Sequence, residues 1–213
     1  MASERVERRL AAILAADVAG YSRLTSTDEE DTHVRLKEHL RVLVDPKISE
    51  YRGRVVKNTG DGMLAEFNSV VDAVRCAVEV QRGMAERNSK VPDEKRIEFR
   101  IGVNLGDVII DSGDIFGNGV NVAVRPEGIA DPGGICVSDR AKEYAQDQLS
   151  VLFEDAGEHL LKNIAVPLHN APTAHALILD KAPVAVLLAV LLANRGAQKH
   201  DSNRLCAERF GRK

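Results

Sequence analysis

The run Leu10 to Val18, LAAILAADV, constrains this chain more than any other stretch, because every residue in it except Asp17 is apolar. A short, almost continuous apolar run reads as a buried central strand, and this one ends in the small-residue loop Asp17-Val18-Ala19-Gly20-Tyr21. Thr27 and the acidic cluster Asp28 to Asp31 then favour a helix start, with Val34, Leu36, Leu40, Leu43, Val44 and Ile48 continuing at helical spacing toward Gly53. Val55, Val56 and Met63 to Phe67 flank Thr59-Gly60-Asp61-Gly62, where Asp-Gly signals a hairpin. A second helix is predicted over Val70 to Met84. The β-branched run Ile97 to Ile110 is broken by Gly102 and Gly106, which predicts two strands with a bend or bulge between them.

Beyond that, Asp114 to Gly119 reads as a Gly-rich turn leading into a helix through Asn121 and Arg125. Ile135 to Val137 reads as a short strand, and Ser138 as the cap of a helix bearing Arg140 to Tyr144. The order βαββαβ with additions predicts an α+β, ferredoxin-like sandwich with helices on one face of an antiparallel sheet. The domain is expected over residues 1–180. Residues 181–213 read as an irregular C-terminal tail, with the remnant of a further domain as the reading that fits it, because Asn194 to Lys213 is polar and basic without periodicity. The apolar stretch Val184 to Ala193 falls well short of the ~20 residues that a spanning helix needs, so no membrane span is expected.

Charge narrows the partners. The 213 residues carry 29 basic and 32 acidic groups, a net charge of −3, with 4% aromatics and no Trp. Neither a polybasic face nor a stacking platform is available, so no nucleic-acid partner is expected. Three widely spaced cysteines, Cys76, Cys136 and Cys206, lack the pattern of a zinc site or disulfide framework and point to a reducing cytoplasm.

Asp17 and Asp61 both sit at the ends of predicted strands. Hard divalent cations take oxygen ligands, commonly one or two carboxylates plus nucleotide phosphates, so this pair fits metal-bound phosphate. Each also has a plain structural reading, Asp17 as a loop cap and Asp61 as a turn residue, and local pattern does not separate the two. The amides of the loop from Ala16 to Tyr21 suit an anion, although no P-loop, dinucleotide fingerprint, nucleophile elbow or His-Glu-x-x-His motif occurs. Asn121 and Arg125, four apart, share a helix face. Lys57 and Asp61 share one side of the hairpin if the strand stays regular that far.

Taken in order, AAILAADVAGYSRL (11–24), VVKNTGDGMLAEF (55–67), FRIGVNLGDVI (99–109), GDIFGNGVNVAVR (113–125) and ADPGGICVS (130–138) resemble the catalytic domain of class III nucleotidyl cyclases, in the bacterial adenylate cyclase branch. The resemblance implies the class III cyclase fold and an adenylate cyclase that converts ATP to 3′,5′-cyclic AMP and pyrophosphate. It places two Mg2+ or Mn2+ ions on Asp17 and Asp61, adenine selection on Lys57 and Asp114, and ribose positioning and charge stabilisation on Asn121 and Arg125. It adds a further phosphate contact on Lys162 to the substrate contacts that the small-residue loop itself suggests at Val18, Ala19, Gly20 and Tyr21. Family members build each site across a head-to-tail homodimer. A catalytically weak nucleotide-binding or dimerising regulatory module is the alternative, because Pro126 follows Arg125 directly and is expected to push it out of helical geometry.

Overall fold

The computed structural model describes residues 7–111, 114–149, 152–155 and 174–178. The predicted tail and Lys162 lie outside these residues. The central strand β1 spans Glu7–Val18 and is flanked on both sides by antiparallel partners, β3 (Gly62–Phe67) and β4 (Phe99–Asp111). Strand β2 (Gly53–Asn58) lies outside β3, and β6 (Ile135–Ser138) runs parallel to β4. With β7 (Leu152–Asp155) and β8 (Ala174–Ile178), the sheet order is β2-β3-β1-β4-β6-β8-β7. The first four strands in that order, joined through the intervening helices, make the expected βαββαβ core. Strand β5 (Asp114–Phe116) pairs antiparallel with the end of β4.

Successive strand residues face opposite ways, so the apolar run of β1 feeds two cores. Leu14 and Ala16, with Met63, Phe99 and Ile101, pack beneath Val44, Ile48, Cys76 and Val80. Those last two belong to α4 (Val70–Asn88), whose N-cap Ser69 accepts from the Asp72 amide. On the reverse face Ala11, Ile13, Ala15, Leu64 and Val108 pack with Ala123 of α5 (Asn118–Ile129). Burying side chains such as Ile13, Phe67, Phe99 and Ile101 contributes roughly 1.5–3 kcal/mol each. The placement of α5 departs from the expectation of helices on one face only. Small residues explain it: Ala15 pairs with Gly102 and Ala11 with Gly106, which leaves a shallow trough on that face.

The trough also corrects the reading of β4, which is one strand of 13 residues rather than two with a bend. Twelve consecutive pairs, from Glu7 with Ile110 to Val18 with Phe99, hold it to β1 without a slip. Gly102 instead allows helix contact, since a Cβ there would lie 2.4 Å from both the Ala123 oxygen and the Glu127 nitrogen. The helical stretch before Gly53 is also more segmented than predicted. It comprises α1 (Tyr21–Thr27), α2 (Glu29–His39) capped by Asp28, a π-helical turn (Leu40–Val44) and α3 (Asp45–Glu50). Ser138 caps α6 (Asp139–Ala145) as expected, its hydroxyl accepting from the Ala141 amide.

Helix α5 continues through Pro126, with Arg125 inside its helical span. The expected displacement of Arg125 from helical backbone geometry does not occur. A proline there removes one backbone donor, but packing of Ala123 and Glu127 against β4 holds the helix on both sides of it. Asp114 likewise opens a short strand rather than sitting in a turn.

Candidate active site

Two adjacent strand ends bring the acidic pair together. Asp17, one residue from the end of β1, pairs with Gly62 of β3 on one side and Arg100 of β4 on the other. Asp61 immediately precedes Gly62, and its carbonyl accepts the Val18 amide at 3.1 Å. The hairpin forms where Asp-Gly predicts it, but Asp61 does not take a positive φ. The reversal is made by Thr59-Gly60-Asp61, with Gly60 at φ 86° and the Thr59 amide donating to the Gly62 carbonyl at 2.8 Å. Both carboxylates are half-buried.

Two residues not singled out from sequence complete this cluster. Arg100 donates through Nε to Asp17 Oδ1 at 2.9 Å and through a terminal nitrogen to Oδ2, a bidentate pair that reinforces its cationic form. Glu127, in the last turn of α5, stands beside the Asp17 carboxylate. Burial, followed by the adjacent Asp17 carboxylate, pushes Glu127 up to about 8, while Arg100 pulls the other way. A signal for Arg100 lay in its isolation as the one charge in the apolar start FRIGV, opposite Asp17 if the two strands pair. Glu127 had none, because only the close approach of α5 at Gly102 delivers it.

Asp17 and Asp61 offer a pair of oxygen donors, the ligand chemistry that Mg2+ or Mn2+ takes. Among the described residues no group of three His, Cys, Asp or Glu side chains forms a complete metal cage. Phosphate and water oxygens would therefore have to fill the remaining positions around Asp17 and Asp61.

The loop after β1 is partly committed. The Val18 amide donates to Asp61 and the Ala19 amide to the Glu98 carbonyl at 2.8 Å. Gly20 takes the left-handed conformation (φ 67°) that turns the chain into α1, and its carbonyl accepts from Arg23 and Leu24. The amides of Tyr21 and Ser22, in the first turn, have no partner within the helix.

Lys57 is exposed on β2 opposite Leu64, which places it on the same sheet face as Ala15 and Asp17. The strand is not regular up to Asp61, because a bulge at Val56 shifts the register between Val55 and Lys57. Asp114 begins β5 at the end of β4 remote from Arg100, and β5 touches β2, the strand of Lys57. Asn121 and Arg125 lie one turn apart on α5. Asp17, Asp61 and Arg100 thus gather at one end of β1, β3 and β4, and Lys57, opposite Leu64, lies toward that same end, whereas Asp114 lies at the far end of β4.

The model of the adenylate and guanylate cyclase catalytic domain matches residues 4–176, and the chain belongs to that family. It is 48% identical over 169 residues to a protein of Rhizobium meliloti named putative adenylate cyclase 3, covering 79% of this chain and 29% of the relative. The chain therefore spans less than a third of that relative's length. Among solved structures, an adenylate/guanylate cyclase/hydrolase from Silicibacter pomeroyi is 47% identical with a TM-score of 0.71, covering 83% of this chain and 99% of that one. The guanylyl cyclase Cya2 is 25% identical at a TM-score of 0.66, covering 81% and 92%.

Proposed function

We propose that this chain is an adenylate cyclase working as a homodimer. The 3′-hydroxyl of ATP attacks the α-phosphorus in line and gives up its proton to water; the new O–P bond closes 3′,5′-cyclic AMP, the bond to the β-phosphate oxygen breaks, and pyrophosphate leaves with its electron pair. The observation that carries this reading is the convergence of Asp17 and Asp61 on neighbouring strand ends beside the Arg100 cation. Asp17 and Asp61 would hold two Mg2+ or Mn2+ ions, which supply acidity to the attacking hydroxyl and neutralise charge on the phosphates. Arg100, paired with both oxygens of Asp17, would orient that carboxylate beside the phosphates.

Lys57 donating to adenine N1 and Asp114 accepting from the exocyclic amine would select ATP, because guanine presents the opposite donor and acceptor pattern at that edge. Asn121 and Arg125 would position ribose and stabilise the pentavalent phosphorus, and Lys162 would add a phosphate contact. The start of β5 at the end of β4 remote from Arg100 sets Asp114 away from the acidic cluster of its own chain, which supports a head-to-tail pair. In it, the base-selecting elements of one copy complete the acidic cluster of the other. The 48% identity to a relative named putative adenylate cyclase supports the choice of ATP over GTP.

The test is cyclic nucleotide formation by purified protein with Mn2+, given ATP or GTP, beside Asp17→Ala. Cyclic AMP from ATP, abolished by the substitution, supports the proposal. Nucleotide binding without cyclisation in the unaltered protein supports the regulatory-module alternative instead.

A further inference from the structure

We propose that His39 is a proton-operated latch: its neutral imidazole lets the arm made of α2, the π-helical turn and α3 seat on α4, and protonation releases that arm.

The packing of the two helical runs fixes where His39 stands. The arm lies antiparallel to α4, because Val44 and Ile48 share an apolar pocket with Cys76 and Val80, while Leu43 lies against Gly83. The approach is close: a Cβ on residue 83 would stand 2.7 Å from a methyl carbon of Leu43. One turn further along each run, His39 falls beside Arg87. His39 is the last residue of α2, and its Nδ1 is buried with no hydrogen-bond partner among the described residues. A bare ring nitrogen suits the neutral imidazole, whose proton then sits on Nε2. A proton added to Nδ1 would be a buried donor with nothing to accept it.

The charges around the ring oppose that proton as well. Arg87 faces it from α4, and Arg35, one turn earlier, from α2. Glu38 is the acidic group that faces it, and Arg41 already engages that carboxylate at 2.8 Å. Burial, then the two arginines, hold the imidazole below its ordinary value of 6.5. The turn after His39 is where the arm can yield. Its backbone bond runs from the Asp45 amide to the Leu40 carbonyl, one residue longer than in an α-helix, and the Leu40 amide is shared between the Leu36 and Lys37 carbonyls. Buried Thr32 donates to the Leu24 carbonyl at 3.3 Å, which couples α2 to α1, the helix that follows the loop after Asp17. The released arm takes up a proton near 6.5 and the seated arm only at lower pH, so the latch is fully closed above 6.5 and weakens as pH falls through it.

The experiment is amide hydrogen exchange of the full chain at about pH 7.5 and about pH 5.5, corrected for intrinsic rates, beside His39→Gln and His39→Phe, which cannot take up the proton. Titration of the imidazole resonances by NMR accompanies it, with His39 assigned as the signal that both variants lack. The expected result is a loss of protection over residues 36–48 of about threefold or more at the lower pH in the unaltered protein, and of less than about twofold in both variants, with β1 unchanged in all three. His39 should titrate below 6.5. An equal loss in the variants overturns the latch, because another group would then drive the release. Undiminished protection in the unaltered protein overturns it as well, and so does titration of His39 at or above 6.5. Thermal melting shows whether the variants fold; if neither does, exchange and titration of the unaltered protein decide by the same criteria.

Discussion

Gly102→Ala isolates what the trough under α5 does. The added methyl carbon would sit 2.4 Å from two backbone atoms, the Ala123 oxygen and the Glu127 nitrogen, where ordinary contacts begin at 3.4 Å. Neither atom belongs to a side chain that can swing aside, and β4 is locked to β1 by an unbroken ladder. Helix α5 must therefore rise by about 1 Å, with a packing cost of about 1–3 kcal/mol. For a domain of this size that lowers the melting temperature by about 3–10 °C. Catalysis should suffer more, because α5 carries Asn121, Arg125 and Glu127 together, and a misplacement of about 1 Å reduces rates by on the order of 100-fold. The assay pairs melting curves with initial rates of cyclic AMP formation at saturating Mn2+ and ATP. A variant that melts normally and turns over normally would refute the reasoning. So would a rate loss no larger than the fraction unfolded at the assay temperature.

Three further outcomes follow from the packing. Glu66 is 6% exposed and accepts from Arg9 at 2.6 Å and from Nε of Arg54 at 2.9 Å, tying β1, β2 and β3 together. Because both guanidinium groups keep access to water, Glu66→Ala should cost about 2 kcal/mol, between exposed and buried ion pairs, as measured by urea unfolding. Ser138→Ala removes both the cap of α6 and the 2.7 Å hydroxyl bond to Asn104 Oδ1, so chemical denaturation should show a loss of roughly 1–2 kcal/mol. Burial pushes the thiols up to about 12 for Cys76 and about 11 for Cys136. In a Cys206→Ser background, an aromatic disulfide reagent at pH 8 should label neither until denaturant is added; rapid labelling of the folded protein would contradict their burial.

The β1 run and the hairpin were legible because they depend on local pattern: an apolar stretch that admits only a buried strand, and a Gly-Asp-Gly turn between β-branched flanks. The convergence of Asp17 and Asp61 followed once those two strands were neighbours. The unity of β4 was not legible, since Gly102 and Gly106 carry the same letters whether a strand breaks or a helix settles on it. Pro126 misled for a related reason. Its local cost is real, but the contacts of Ala123 and Glu127 with β4 outweigh it. Arg100 and Glu127 enter the site through strand pairing and helix docking, long-range events to which no window of neighbouring residues refers.

The spacing between Asp17 and Asp61 is set by counting. Asp17 pairs with Gly62 on the last rung of the β1–β3 ladder and Asp61 immediately precedes Gly62, so the separation depends on the number of residues in the hairpin and strand rather than on which side chains fill the core. One residue inserted near the end of β1 inverts the parity of the strand there and sends Asp17 toward the α4 face, whereas a deletion at the hairpin tip displaces Asp61. Side-chain drift in this region is tolerable wherever volume is conserved. A change in length is not, and deletion scanning should reveal a short window of the chain, around the metal-holding ends, in which no indel survives.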